Sequence, residues 1–315
     1  PEDFLGEMSL ISGERASATV RAREAMRVAY FDRDALMQLA HAVPELGKAI
    51  DGALNRSLSA KLLRELGGDK LELLYENGRW AIDGTGIDRI FDVRGTVEVT
   101  FLNLTMRGGS AQGFLSTGGA IRIRESIVHL TDSVVTQNQT ALEGGSRDNG
   151  GGIAIYGRYD AASGTAHPAT VTLTRSTVAE NTAARGGGIV CVVCDLRLVE
   201  SSVISNSAAE DGGGIYLAGD ASTLTMTSST LAANVASGRG GGLAVVYGTG
   251  TATLNVNRII ANTATVGATI YNETATVDVD MGEAPVRCAA EVAMNRYSSE
   301  PCDVVLSRLP PVAQP

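Results

Sequence analysis

A short unit, Gly-Gly-(Gly)-aliphatic, recurs along most of this chain, and it limits the fold more than any other feature. It reads Gly118-Gly119-Ala120-Ile121, Gly150-Gly151-Gly152-Ile153, Gly186-Gly187-Gly188-Ile189, Gly212-Gly213-Gly214-Ile215 and Gly240-Gly241-Gly242-Leu243, with a weaker copy at Gly267-Ala268-Thr269-Ile270. The aliphatic positions lie 32, 36, 26, 28 and 27 residues apart. A second anchor precedes the glycines: Ser133 with Asn138, Ser176 with Asn181, Ser201 with Asn206, Ser229 with Asn234, and Asn257 with Asn262. Between the anchors run alternating β-branched stretches such as Thr170 to Thr174 and Thr223 to Thr227. A period of this length with short strands and no helical spacing predicts a solenoid of stacked β-coils. Each coil cannot bury its apolar face alone, so the coils must stack. An Asn at a fixed place in every coil suits an internal ladder, its side chain tolerating a left-handed backbone and bonding the next coil's turn. The glycines supply tight turns and close approach of neighbouring coils. The longer spacings predict loops inserted at Arg147-Asp148-Asn149 and from Tyr156 to His167.

Composition agrees. The chain has 37 glycines in 315 residues, against a usual share of about 7%. Most of them lie beyond residue 70, whereas all three lysines (Lys48, Lys61, Lys70) come before it. That shift places a boundary near Gly67-Gly68. The expected organisation is a first segment at 1–66, a linker and approach to the first coil at 67–80, β-coils with a capping loop at 81–305, and a tail at 306–315. A net charge of -9 argues against a nucleic-acid partner. No apolar run is long enough for a membrane helix. The abrupt start at Pro1-Glu2-Asp3, without an initiator Met, reads as a truncation.

Taken together, the Gly-Gly-Ala/Ile and Asn signatures resemble those of right-handed parallel β-helix proteins, among them pectate-lyase-like and polymorphic outer membrane protein-type repeats of bacterial surfaces. The resemblance covers about residues 71–305 and implies about seven coils, stacked at ~4.8 Å each. It implies little about activity, because this fold carries both enzymes and passive stalks.

The first 66 residues read as short strands (Ala18–Ala22, Arg27–Phe31) followed by helices, with an apolar stripe at Leu46, Ile50, Leu54, Leu58 and Leu62. Residues 4–20, FLGEMSLISGERASATV, resemble the phosphate-binding cassette of cyclic nucleotide-binding domains. The segment is similar to that family's C-terminal half. The resemblance makes Gly6, Glu7, Arg15 and Ser17 the cassette residues, with Glu7 toward the ribose hydroxyl. Aligning Thr19-Val20 puts Ala16 where the family has its phosphate-binding Arg, with Arg15 one residue away. A lost charge-assisted contact of this kind is worth ~1.5–3 kcal/mol, so this chain is expected not to bind cyclic nucleotide measurably.

Residues that could carry chemistry are scattered. Asp83, Asp88, Asp92, Asp132, Asp195, Asp211 and Asp220 show no paired spacing, and His41, His129 and His167 show no metal-ligand spacing. Asp278 and Asp280 share one strand face and read as solvated. Glu180, Arg185, Glu210, Asp211 and Arg239 sit at matching positions between Asn and glycines, either lining one edge of the solenoid for a partner or as solvated turn residues.

The four cysteines fall into two pairs. Cys191 and Cys194 are an odd offset apart in a predicted strand, which puts them on opposite faces, so both read as buried small apolar residues rather than a disulfide. The segment from Cys288 to Cys302 resembles the cysteine-bracketed terminal loop of secreted β-helices, which implies a bond capping the last coil and an oxidising compartment. The N-terminal cassette points instead to the cytoplasm. The expected function is a non-enzymatic bacterial surface or interaction scaffold, with a protein or glycan partner and no cofactor. The alternatives are a cyclic-nucleotide-regulated protein with the β-helix as its output, and a polysaccharide lyase or hydrolase.

Overall fold

The structure is a computed structural model. It describes residues 72–76, 79–86, 88–111, 116–141, 149–248, 250–255, 257–273, 276–280 and 286–288, together with the helical positions Gln38 and Ala42. The cassette residues Gly6, Glu7, Arg15 and Ser17, and with them Cys302, lie outside the described residues. The chain divides into two compact units, Pro1–Tyr75 and Glu76–Pro315.

The second unit is a parallel β-helix of about seven turns, as the repeat predicts. Each full coil supplies one strand to each of four sheets. In the fourth coil these are Ile189–Val192, Cys194–Val199, Ser202–Ile204 and Ser207–Ala208. Equivalent strands of successive coils pair in parallel without slippage: Ile121, Ile153, Ile189, Ile215, Leu243 and Ile270 form one file along the first sheet. Leu130, Leu173, Leu198, Met226, Leu254 and Val279 form another along the second. All twelve side chains are buried. Each large aliphatic side chain taken fully from water contributes about 1.5–3 kcal/mol, so the stacked files are the main cohesive element. The strand Glu72–Glu76 falls within the segment expected as linker and Arg79–Asp83 straddles its end; the latter pairs with Leu104–Arg107 as part of an incomplete first turn. At the other end Val286–Cys288 turns back antiparallel to Thr276–Asp280.

The corners explain the anchors. Gly186 has φ +57°, and a Cβ on Gly187 would lie 2.4 Å from the Ser207 carbonyl oxygen and 2.5 Å from that of Gly213. The first glycine is required by conformation and the second by the closeness of the neighbouring coils. The left-handed residue at the Asn corner is not the Asn itself, as the sequence reading had it. It is the residue just before: Gln137, Glu180, Ser205, Ala233 and Ala261 all have φ between 54 and 55°. The Asn side chain is thereby freed to point inward. Asn138, Asn181, Asn206, Asn234 and Asn262 are all buried, and each amide nitrogen of the first four donates to the next Asn Oδ1 at 3.0 Å. That same oxygen also accepts the preceding coil's Asn backbone N–H at 3.0 Å. A parallel file of hydroxyls runs through Ser133, Ser176, Ser201 and Ser229, ending on Asn257.

Two insertions behave differently. The insertion expected from Tyr156 to His167 does protrude, as a hairpin of Arg158–Asp160 and Thr165–His167, although Tyr156 itself ends the coil strand Ile153–Tyr156. Asn149, expected in a protruding loop, is instead buried, its amide within 3.3 Å of the Ser116 carbonyl oxygen, because it stands directly before the glycine turn; Arg147 and Asp148 lie outside the described residues.

Candidate functional site

The chain between the fourth sheet and the glycine turn carries Arg185, Glu210, Asp211 and Arg239, and stacking brings them together in pairs. Arg185 Nη2 lies 2.5 Å from Glu210 Oε2 on the next coil. Asp211 and Arg239, also one coil apart, form a two-pronged pair, with Nη2–Oδ2 at 2.8 Å and Nε–Oδ1 at 3.2 Å. The backbone N–H of Arg239 donates to the same carboxylate at 2.9 Å. Hydrogen bonding to Asp211 is the largest cause holding the Arg239 guanidinium well above its ordinary range; partial burial works against it. Glu180 does not share that position: it stands directly before Asn181 at the Asn corner, where it accepts from Gln137 Nε2 at 3.0 Å.

Sequence reasoning missed the aromatic half of the site. The Arg185 guanidinium stands 6.0 Å from the Tyr216 ring centroid, and that of Arg239 stands 4.8 Å from Tyr271. Tyr216 and Tyr271 lie on the outward side of the first sheet, yet they are 0% and 7% exposed. Arg239 Nη1 also donates to the Tyr271 hydroxyl at 3.2 Å and reaches Glu273 Oε1 at 3.5 Å. Both cases put a corner Arg over a Tyr one coil further on, with Glu210 beside Arg185 and with Asp211 and Glu273 beside Arg239. The only sequence signal was the offset between Arg185 and Tyr216 and between Arg239 and Tyr271, which is close to one repeat.

Several of the other scattered acids are also tied to arginines. Asp83 lies 3.1 Å from Arg107, Asp132 lies 2.8 Å from Arg175, and Asp195 lies 2.7 Å from Arg197. Asp92 is hydrogen-bonded by both Arg122 and Arg94. Burial alone would raise the Asp92 carboxyl, but the hydrogen bonds and charge of those two arginines override it and bring its pKa down to about 2. His129 Nε2 lies 3.2 Å from Glu98. Among the described residues no group of three or more His, Cys, Asp or Glu is placed to hold a metal ion. Chemically, these carboxylates are hydrogen-bond acceptors already engaged by guanidinium groups, suited to holding strands and coils together.

The cysteines overturn an expectation. Cys191 and Cys194 form a disulfide, with Cα atoms 5.6 Å apart, and both are 0% exposed. The alternation of faces holds only within one strand. Here Val193, at φ +51°, ends the strand Ile189–Val192 and lets Cys194 begin one in the next sheet, so both side chains point inward. Cys288 is described only as the last residue of its strand, so the expected Cys288–Cys302 bond falls outside the described residues.

Residues 89–281 match the family described as the right handed beta helix region, and the chain belongs to that family. No curated protein and no solved structure matches the chain.

Proposed function

We propose that the chain is a non-enzymatic scaffold whose stacked coils hold an outer surface rigid for a protein or glycan partner, without a cofactor. The observation that carries this reading is the tie between Asp211 and Arg239 across two coils. A general acid or base needs a carboxyl oxygen open to its substrate, whereas both oxygens of Asp211 are already taken by three N–H groups of Arg239. Two exposed residues linked to the neighbouring arginines, Glu210 paired with Arg185 and Tyr247 bonded through its N–H to Glu273, supply a rim for contact. The test pairs a glycan and protein binding array with a polysaccharide-degradation screen. Binding without release of new sugar ends is expected; release that is abolished by Asp211→Asn would overturn the reading in favour of a hydrolase or lyase. The same reading leaves the cassette at residues 4–20 without nucleotide. Micromolar binding of a cyclic nucleotide in a calorimetric titration would overturn that part and favour a regulated protein.

A further inference from the structure

The disulfide sits at a corner that both neighbouring coils cover. Cys191 is stacked between Ile155 of the preceding coil and Leu217 of the following one, and Cys194 lies beside Ala169. Both neighbouring coils also close on Val193 between them. Ala169 N–H donates to the Val193 carbonyl oxygen at 3.2 Å, and Val193 N–H donates to Ser222 Oγ at 2.8 Å. Ser222 Oγ in turn donates to the Ala218 carbonyl oxygen at 2.5 Å and is itself 0% exposed. Thiol–disulfide exchange needs in-line access of an attacking thiolate to sulfur. Once the fourth coil is covered on both sides, neither an oxidant nor a reductant has that access.

We propose that Cys191 and Cys194 are the site at which a disulfide-bearing oxidant acts on the unstacked chain, so that oxidation and coil stacking are coupled and folding is completed where such an oxidant is present. One cysteine thiolate attacks the oxidant's disulfide, giving a mixed disulfide and one released thiolate. The second cysteine thiolate attacks the chain's own sulfur in that mixed disulfide. The Cys191–Cys194 bond forms, and the oxidant leaves carrying two electrons as a dithiol. The two thiol protons pass through water to the oxidant's sulfurs. The corner then fixes itself: a β-branched residue at positive φ is disfavoured, and the bond holds Val193 there while the fifth coil docks. The partner implied is a thiol–disulfide exchange catalyst or a small-molecule disulfide, met before the coil is covered.

The experiment uses the full chain carrying Cys288→Ser and Cys302→Ser, so that only the inner pair reports. Reduced, denatured protein is refolded with a glutathione disulfide couple or with excess dithiothreitol, then denatured and alkylated, and its intact mass is read. With the oxidant, the inner pair is expected to resist alkylation. Refolding is also expected to be faster with the oxidant than without, a difference that Cys191→Ala with Cys194→Ala abolishes. Reduction of the native bond is expected to be at least about a hundredfold slower than in urea, because it waits on local opening. Two alkylated cysteines after oxidative refolding would overturn the proposal. So would a native bond that dithiothreitol cleaves as fast as the unfolded one.

Discussion

At the corner between the third and fourth sheets, five consecutive coils do the same thing: one left-handed residue, then a buried Asn. At the corner between the first and second sheets, the connections range from the single residue Val193 to the twelve residues 157–168. The difference lies in what points inward. The amides of Asn138, Asn181, Asn206 and Asn234 each serve the coil before and the coil after, so a changed coil would leave buried polar groups unpaired on its neighbours. The other corner has no such ladder. It needs only to turn the chain, and any insertion there projects into solvent, where a longer loop costs little.

The largest effect expected at the repeated corner comes from Asn206→Leu. Its amide donates to Asn234 and to the Val178 carbonyl, and its oxygen receives both the backbone and side-chain N–H of Asn181. Losing these should cost about 3–4 kcal/mol, read as a fall in the urea midpoint. A loss under about 1 kcal/mol would break the contrast between the corners. Gly187→Ala comes next. Its Cβ would meet two backbone carbonyls that cannot move without shifting a coil, and ~2 kcal/mol of overpacking is expected in the same melt.

Charge on the outer face has a smaller effect, and one that depends on pH. The folded pKa of Asp92 is depressed to about 2, so its stabilisation is present above the unfolded carboxyl range near ~3.9 and is lost as pH falls through about 2. After solvent screening this is about 1 kcal/mol at neutral pH. Asp92→Asn should remove it and flatten the stability profile between about pH 4 and pH 2, checked by melts across that range.

At the variable corner, Val193→Gly should raise stability by about 0.5–1 kcal/mol, since it relieves a β-branched residue from positive φ. The smallest effect is expected from replacing residues 159–166, the end of the hairpin, with a short Gly-Ser turn. The melt should move by no more than about 0.5 kcal/mol. A large loss there would show that the hairpin supports the coils, and the two corners would no longer differ as described.

The candidate site was half legible. Arg185, Glu210, Asp211 and Arg239 share a position within the repeat, so their common edge could be read from spacing. Which acid meets which Arg could not, because Arg185 reaches forward to Glu210 whereas Arg239 reaches back to Asp211. Tyr216 and Tyr271 each follow the anchor aliphatic of their coil, Ile215 and Ile270, and carried no signal of their own. Their burial beneath arginines depends on side chains arriving from another coil.

What the sequence determined by itself is the period: where each coil turns, which residues face inward and that the amides would stack. These follow from local backbone preference and burial repeated at a fixed interval, and each repetition strengthens the reading. What only the tertiary structure decided is everything that depends on where one strand ends and another begins. A single left-handed residue, Val193, reverses the expected facing of Cys194 and turns two cysteines into a disulfide. Side-chain facing alternates only while φ stays in the β region, and nothing in the local pattern of Cys-Val-Val-Cys marks the residue at which it does not.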